Sequence, residues 1–136
     1  MKDIIISTLD RDRILQSIDK KRSTGRGVRV NLNPLLDEIN RAKILTPDEM
    51  PADVVTMRSI VKLVYKNTGQ IMQVQLVYPN EADLANNKIS VFAPIATAIL
   101  GYRKGDTVFW KVPGGEAELV IEEIIYQPEA SGDLSI

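Results

Sequence analysis

The chain has 136 residues, 44% of them hydrophobic, and a net charge of -1, which fits one domain with an appendage or two small modules. Cysteine and histidine are both absent, so disulfides, thiolate metal sites, His-based catalytic triads and the commonest zinc ligand are excluded. No run of 18 apolar residues occurs and the start, MKDIIISTLDRD, lacks the apolar segment of a signal peptide, so a cytoplasmic protein is expected.

In chain order, residues 8–19 (TLDRDRILQSID) read as a short helix. Thr8 is its expected cap, Asp10 and Asp12 sit near its positive end, and Ile14, Leu15 and Ile18 form an apolar stripe. Residues 20–33 hold two glycines and five basic side chains, Lys20, Lys21, Arg22, Arg26 and Arg29, with little periodicity, and read as a connection. Asn33 as cap and Pro34 at the first helical position open a second helix, striped by Leu35, Leu36, Ile39 and Ala42. Two such helices bury their stripes against each other or a neighbour, and an antiparallel helical hairpin is the economical arrangement.

Residues 46–53, TPDEMPAD, carry two prolines and three acids and read as a linker. Beyond them the period changes to two. Residues 58–66 form a strand, Asn67-Thr68-Gly69-Gln70 a turn, and residues 71–78 the returning strand. After a polar loop, residues 89–92 make a strand, and Pro94 starts a helix through Leu100 that Gly101 stops. Lys104-Gly105-Asp106 turns into a strand over 107–112, and Pro113-Gly114-Gly115 turns into the last one, 117–126. The expected fold class is α+β: a helical hairpin over 1–45, a linker over 46–53, and an antiparallel sheet with one packed helix over 54–136. Residues 1–45 hold ten Lys/Arg against six Asp/Glu, whereas 46–136 hold seven against twelve. Opposite signs suggest two modules facing different surroundings, with chance scatter of solvated charges as the alternative.

Within this pattern, Glu81-Ala82-Asp83 leads into a strand, a Pro-initiated helix, a Gly-Asp turn and a Pro-Gly-Gly hairpin. That order resembles the C-terminal domain of the Gre family of bacterial transcription factors, whose matching stretch runs EAD, ISxxSPIAxAL(I/L)G, a GD turn and a PGG hairpin. The resemblance is strong over 81–126 and weaker over 54–78. It implies an FKBP-like fold that docks on RNA polymerase at the rim of the secondary channel, with the helical hairpin reaching down the channel. The polymerase-contacting turn of the family falls on residues 89–94, which makes Ser90, Phe92, Ala93 and Pro94 the expected partner-binding residues. Ala93 stands where the family usually has a helix-capping Ser, a loss of about 1 kcal/mol of local stability. Phe92 stands where long-armed members often have a polar residue; it is either an exposed interface anchor or a core residue.

The N-terminal half departs from the long-armed pattern. Transcript-cleavage members carry paired acids at the hairpin tip, where a carboxylate can help hold the catalytic magnesium of the polymerase. Here the connection carries five cations, and Asp19 is the only acid, on its edge. About 12 residues per helix also give an arm of only about 18 Å. The segments PDEMPADVVTM, LVYP, SVFAP, PGG and YQPEASGD are similar to those of a short-armed branch of the family. This implies a non-enzymatic regulator without cofactors that binds RNA polymerase and influences nucleoside diphosphate kinase levels. The alternative is a Gre-type factor that stimulates transcript cleavage. An FKBP-like fold also raises prolyl isomerisation, but the aromatics fall at core-compatible strand positions. The basic run 20–29 has three open readings: contact with nucleic acid of the transcription complex, contact with an acidic surface around the polymerase channel, or a solvated loop.

Overall fold

A computed structural model describes residues 4–23, 33–112 and 115–131. The chain runs β1 (Ile5–Ser7), α1 (Thr8–Ser23), α2 (Asn33–Arg41), β2 (Lys43–Leu45), β3 (Ile60–Tyr65), β4 (Ile71–Val77), β5 (Lys88–Ser90), α3 (Pro94–Ile99), β6 (Thr107–Val112), β7 (Gly115–Tyr126) and α4 (Pro128–Ser131). Helix and strand are thus mixed, as the α+β reading expects. Strands β3 to β7 form one sheet in the order β5-β4-β3-β7-β6, while β1 and β2 form a separate parallel pair.

The sheet corrects one expectation. Its pairings are antiparallel except at the edge, where β5 runs parallel to β4, with Gln75 opposite Lys88 and Val77 opposite Ser90. The physical reason lies in the polar loop. It winds back through two short 3-10 turns, Pro79–Glu81 and Leu84–Asn86, and Asn87 takes a left-handed φ of 58°. Reciprocal backbone hydrogen bonds between Asp83 and Lys88, both 2.9 Å, close it. Because β5 pairs only the last three residues of β4, so short a return suffices.

Alternation decides which side of the sheet is covered. Val61 and Leu63 on β3, Val74 and Leu76 on β4, and Leu119 and Ile121 on β7 are buried, whereas Lys62 and Gln73 on the intervening positions are not. Helix α3 lies on this face through Ile95, Ala96 and Ile99. The same buried cluster includes Ile14 and Ile18 of α1, Leu35 and Ile39 of α2, and Ile4 and Ile6 beside β1. The helix stripes therefore enter the core that also packs the sheet.

The first strand is threaded through this core. Its Ile5 N–H donates to the Gly101 carbonyl at 3.1 Å, and the Lys43 N–H donates to the Ile4 carbonyl at 2.8 Å. Gly101 follows α3 with a φ of 84°, a conformation that side chains disfavour, and its own N–H donates to Val55 at 2.9 Å. A Cβ there would stand 2.9 Å from the Ile4 Cβ, so glycine is required both by the turn and by the strand passing over it.

Helix α1 is longer than its expected span, ending at Ser23, and its cap is Ser7 in place of Thr8. The Ser7 hydroxyl accepts the Asp10 N–H at 3.0 Å. Positions 20–22 thereby fall in the last turns of α1 and not in the connection. Lys20 is exposed; the side chains of Lys21 and Arg22, all of Arg26 and Arg29, and the Pro113-Gly114 turn lie outside the described residues. Segment 46–53 is held by side chains: Glu49 accepts from the Thr46 N–H, and Asp53 pairs with Arg103 at 3.0 Å. Among the described residues, no helix is long and apolar enough to cross a membrane.

Candidate functional site

The register brings several segments to one rim of the sheet. Parallel β4 and β5 both end there, β3 begins there with Ile60 opposite Gln75, and β7 finishes there with Tyr126 opposite Ile60. The rim therefore gathers residues 54–59, 78–81, 90–94 and 126–129, and the first turns of α1 reach it through Asp10.

The turn 90–94 is fixed locally. The Val91 N–H donates to the Val77 carbonyl at 2.8 Å, and the Val91 side chain is fully buried. Ser90 accepts twice: its hydroxyl from the Phe92 N–H at 3.1 Å and its carbonyl from the Ala93 N–H at 2.9 Å. Ala93 occupies the cap position of α3 with extended backbone and no side-chain cap, as its methyl requires. Phe92 is half-buried and packs on the core cluster, while Pro94 at the first helical position is exposed. The four expected partner-binding residues thus lie on one contiguous turn, with Phe92 sharing its surface between core and outside.

Beside this turn stands a constellation that periodicity does not reveal. Arg58 has a φ of 66°, a left-handed conformation costly for a long side chain. It is clamped from both sides, its N–H donating to the Leu76 carbonyl at 2.5 Å and its carbonyl accepting from the Gln75 amide at 3.0 Å. The guanidinium grips Glu81 through two bonds of 3.2 and 2.9 Å and lies over the Tyr78 ring, 5.3 Å from its centre. Burial pushes the Glu81 carboxyl up, but the Arg58 bonds and charge outweigh this and hold it below its ordinary value.

Behind Tyr78 lies Asp10, only 5% exposed. Its carboxylate accepts the Met57 N–H at 3.1 Å and the Tyr78 hydroxyl at 3.4 Å, linking α1 to the rim. Burial pushes the Asp10 carboxyl up to about 7, and Glu129 adds to the rise, while the Met57 and Tyr78 bonds and the Arg13 charge oppose it. Tyr78 is itself raised, first by burial and then by the Asp10 charge. The only advance signals were Asp10 in the first helical turn and Glu81 in the acidic lead-in; Arg58 carried none. Among the described residues, no group of three or more acids stands close enough to hold a metal ion.

Fold and rim define the class: this chain belongs to the GreA/GreB family. The family described as "Transcription elongation factor, GreA/GreB, C-term" matches residues 50–126, which hold three of the four rim segments. The "Regulator of nucleoside diphosphate kinase" of Escherichia coli strain K12 is 42% identical over 131 residues, covering 96% of this chain and 94% of that protein. "Transcription elongation factor GreA" of Bartonella henselae is 33% identical over 95 residues, 70% of this chain but only 60% of the longer protein. A solved structure, "Prokaryotic transcription elongation factor GreA/GreB from Nitrosomonas europaea", superposes with a TM-score of 0.73 at 34% identity, covering 91% of this chain and all of that one.

Proposed function

We propose that the protein is a non-enzymatic transcription regulator that binds RNA polymerase near its secondary channel and influences nucleoside diphosphate kinase levels. The observation that carries this reading is the near full-length similarity to the Escherichia coli regulator, which covers arm and sheet together. In this reading residues 54–136 are an FKBP-like docking domain, 1–45 a short helical hairpin, and 46–53 the connection between them. The turn with Ser90, Phe92, Ala93 and Pro94 docks on the polymerase. A rigid turn with a partly exposed aromatic supplies contact area at little entropic cost. Lys20, Lys21, Arg22, Arg26 and Arg29 steer the approach electrostatically.

Stimulation of transcript cleavage has less behind it. Residues 20–33 contain no acid, and α1 with 16 residues reaches about 24 Å. The test is capture of core RNA polymerase by the full chain, with and without a competing Gre factor. Binding that the Gre factor displaces is expected, with no shortened RNA in stalled complexes. Pro94→Asp, at an exposed position, should weaken capture at least tenfold with an unchanged circular dichroism spectrum. Full binding by that variant would move the docking surface elsewhere.

A further inference from the structure

An open cleft of about 270 Å³ lies between α1 and the rim, and of its lining the docking role uses only Lys20, as one of the steering cations. One wall is a single face of α1: Arg13, Gln16, Ser17 and Lys20 recur at helical spacing. The other wall is Arg58 and Tyr78, with Asn80 at the edge. Among the described residues the lining is cationic or neutral and hydrogen-bonding, with no carboxylate in it. Two acids bond to the lining: Glu81 holds Arg58, and Asp10 accepts from the Tyr78 hydroxyl.

Arg58 gives the cleft its character. A glycine or asparagine would tolerate the left-handed backbone at lower cost, yet the position holds an arginine clamped at both ends of its peptide. Glu81 takes Nε and one terminal nitrogen, which fixes the plane of the guanidinium, and the Tyr78 ring supports it from one side. A guanidinium held in this way keeps its other terminal nitrogen, Nη1, and the edge that Nη1 shares with Nη2 outside the Glu81 pair, and those donors suit an oxyanion such as phosphate. Arg13 and Lys20 add positive charge on the facing wall, while Gln16, Ser17 and Asn80 supply neutral donors.

We propose that this cleft binds a phosphate-bearing anion, with Arg58 as its fixed guanidinium. The volume suits a phosphate or pyrophosphate moiety and leaves the rest of a larger ligand in solvent. That moiety comes either from a free small molecule or from the backbone of a nucleic acid, since both present the same oxygens.

The experiment titrates the full chain at low salt with inorganic pyrophosphate, following heat of binding and thermal midpoint. Saturable sub-millimolar binding that raises the midpoint is expected. Arg58→Gln should weaken it at least tenfold. Because that variant also loses the Glu81 pair and can fold poorly, Lys20→Gln, at an exposed helix position, is the second variant and should weaken it at least threefold. Lys104→Gln, in the exposed turn before β6, is the control and should bind as the parent does. A short single-stranded RNA tested against bound pyrophosphate separates the sources. Displacement assigns the phosphate of a nucleic acid, and pyrophosphate binding without displacement assigns a free anion. No binding at millimolar pyrophosphate, or equal binding by parent and Lys20→Gln, overturns the proposal.

Discussion

Replacing Asp10 with Asn should make the stability of this protein independent of pH between 5 and 8. The carboxyl is buried, and folding moves its proton affinity from 3.8 to about 7. Between those values the folded state holds a proton that the unfolded chain has released, so stability falls as pH rises. The loss begins near pH 4 and is complete above pH 7. At about 1.4 kcal/mol per pH unit, the portion between pH 5 and 8 amounts to about 2–3 kcal/mol. The chain has no histidine, and the carboxyls of Glu49 and Glu81 are lowered, so their contributions fall at lower pH and have the opposite sign. The window is therefore close to a reading of Asp10 alone. Asparagine keeps an oxygen for the Met57 N–H and an amide that can donate to the Tyr78 hydroxyl. Urea unfolding at half-unit steps of pH should show the parent losing stability from pH 5 to 8. The variant should stay flat and be at least as stable as the parent at pH 8. A flat parent, or a variant that keeps the slope, would refute the placement of Asp10 as a buried, desolvated acid.

Gly101→Ala should cost about 2–4 kcal/mol, from left-handed strain and crowding against the strand above, read as a lower urea midpoint with unchanged slope. Ile18→Ala, 1% exposed in the shared core, should cost about 2–4 kcal/mol. Its unfolding should give coincident transitions by helical circular dichroism and by fluorescence of the single tryptophan, on β6; separate transitions would mean that arm and sheet unfold independently.

Local chemistry made much of the sheet domain legible. Pro94 and Gly101 bracket α3 because each matches a backbone requirement at a helix end, and β3 and β4 show the alternation that one covered face imposes. What stayed hidden depends on partners far along the chain. Strands β1 and β2 have three residues each, too few for a period, and β1 is buried throughout, so there is no alternation to read. The parallel edge strand depends on how a polar loop folds back. Arg58 read as part of a strand, since neither its left-handed backbone nor its grip on Glu81, 23 positions later, has a local signature. At the turn 90–94, proposed to dock, the residues were identifiable from the resemblance, but the division of Phe92 between core and surface depended on what packs beneath it.

The threading of β1 bears on how the chain is made. The backbone partner of Ile5, Gly101, is synthesised nearly a hundred residues after it, and the strand that carries Leu119 and Ile121 later still. Contacts of such separation incur loop-closure entropy before they return any burial. Helix α1 can form at once, but its apolar stripe has no lasting cover until the sheet is complete. Strand β1 must wait for β7, and until β7 is made Ile4, Ile6, Ile14 and Ile18 are exposed to whatever else in the cell binds apolar segments.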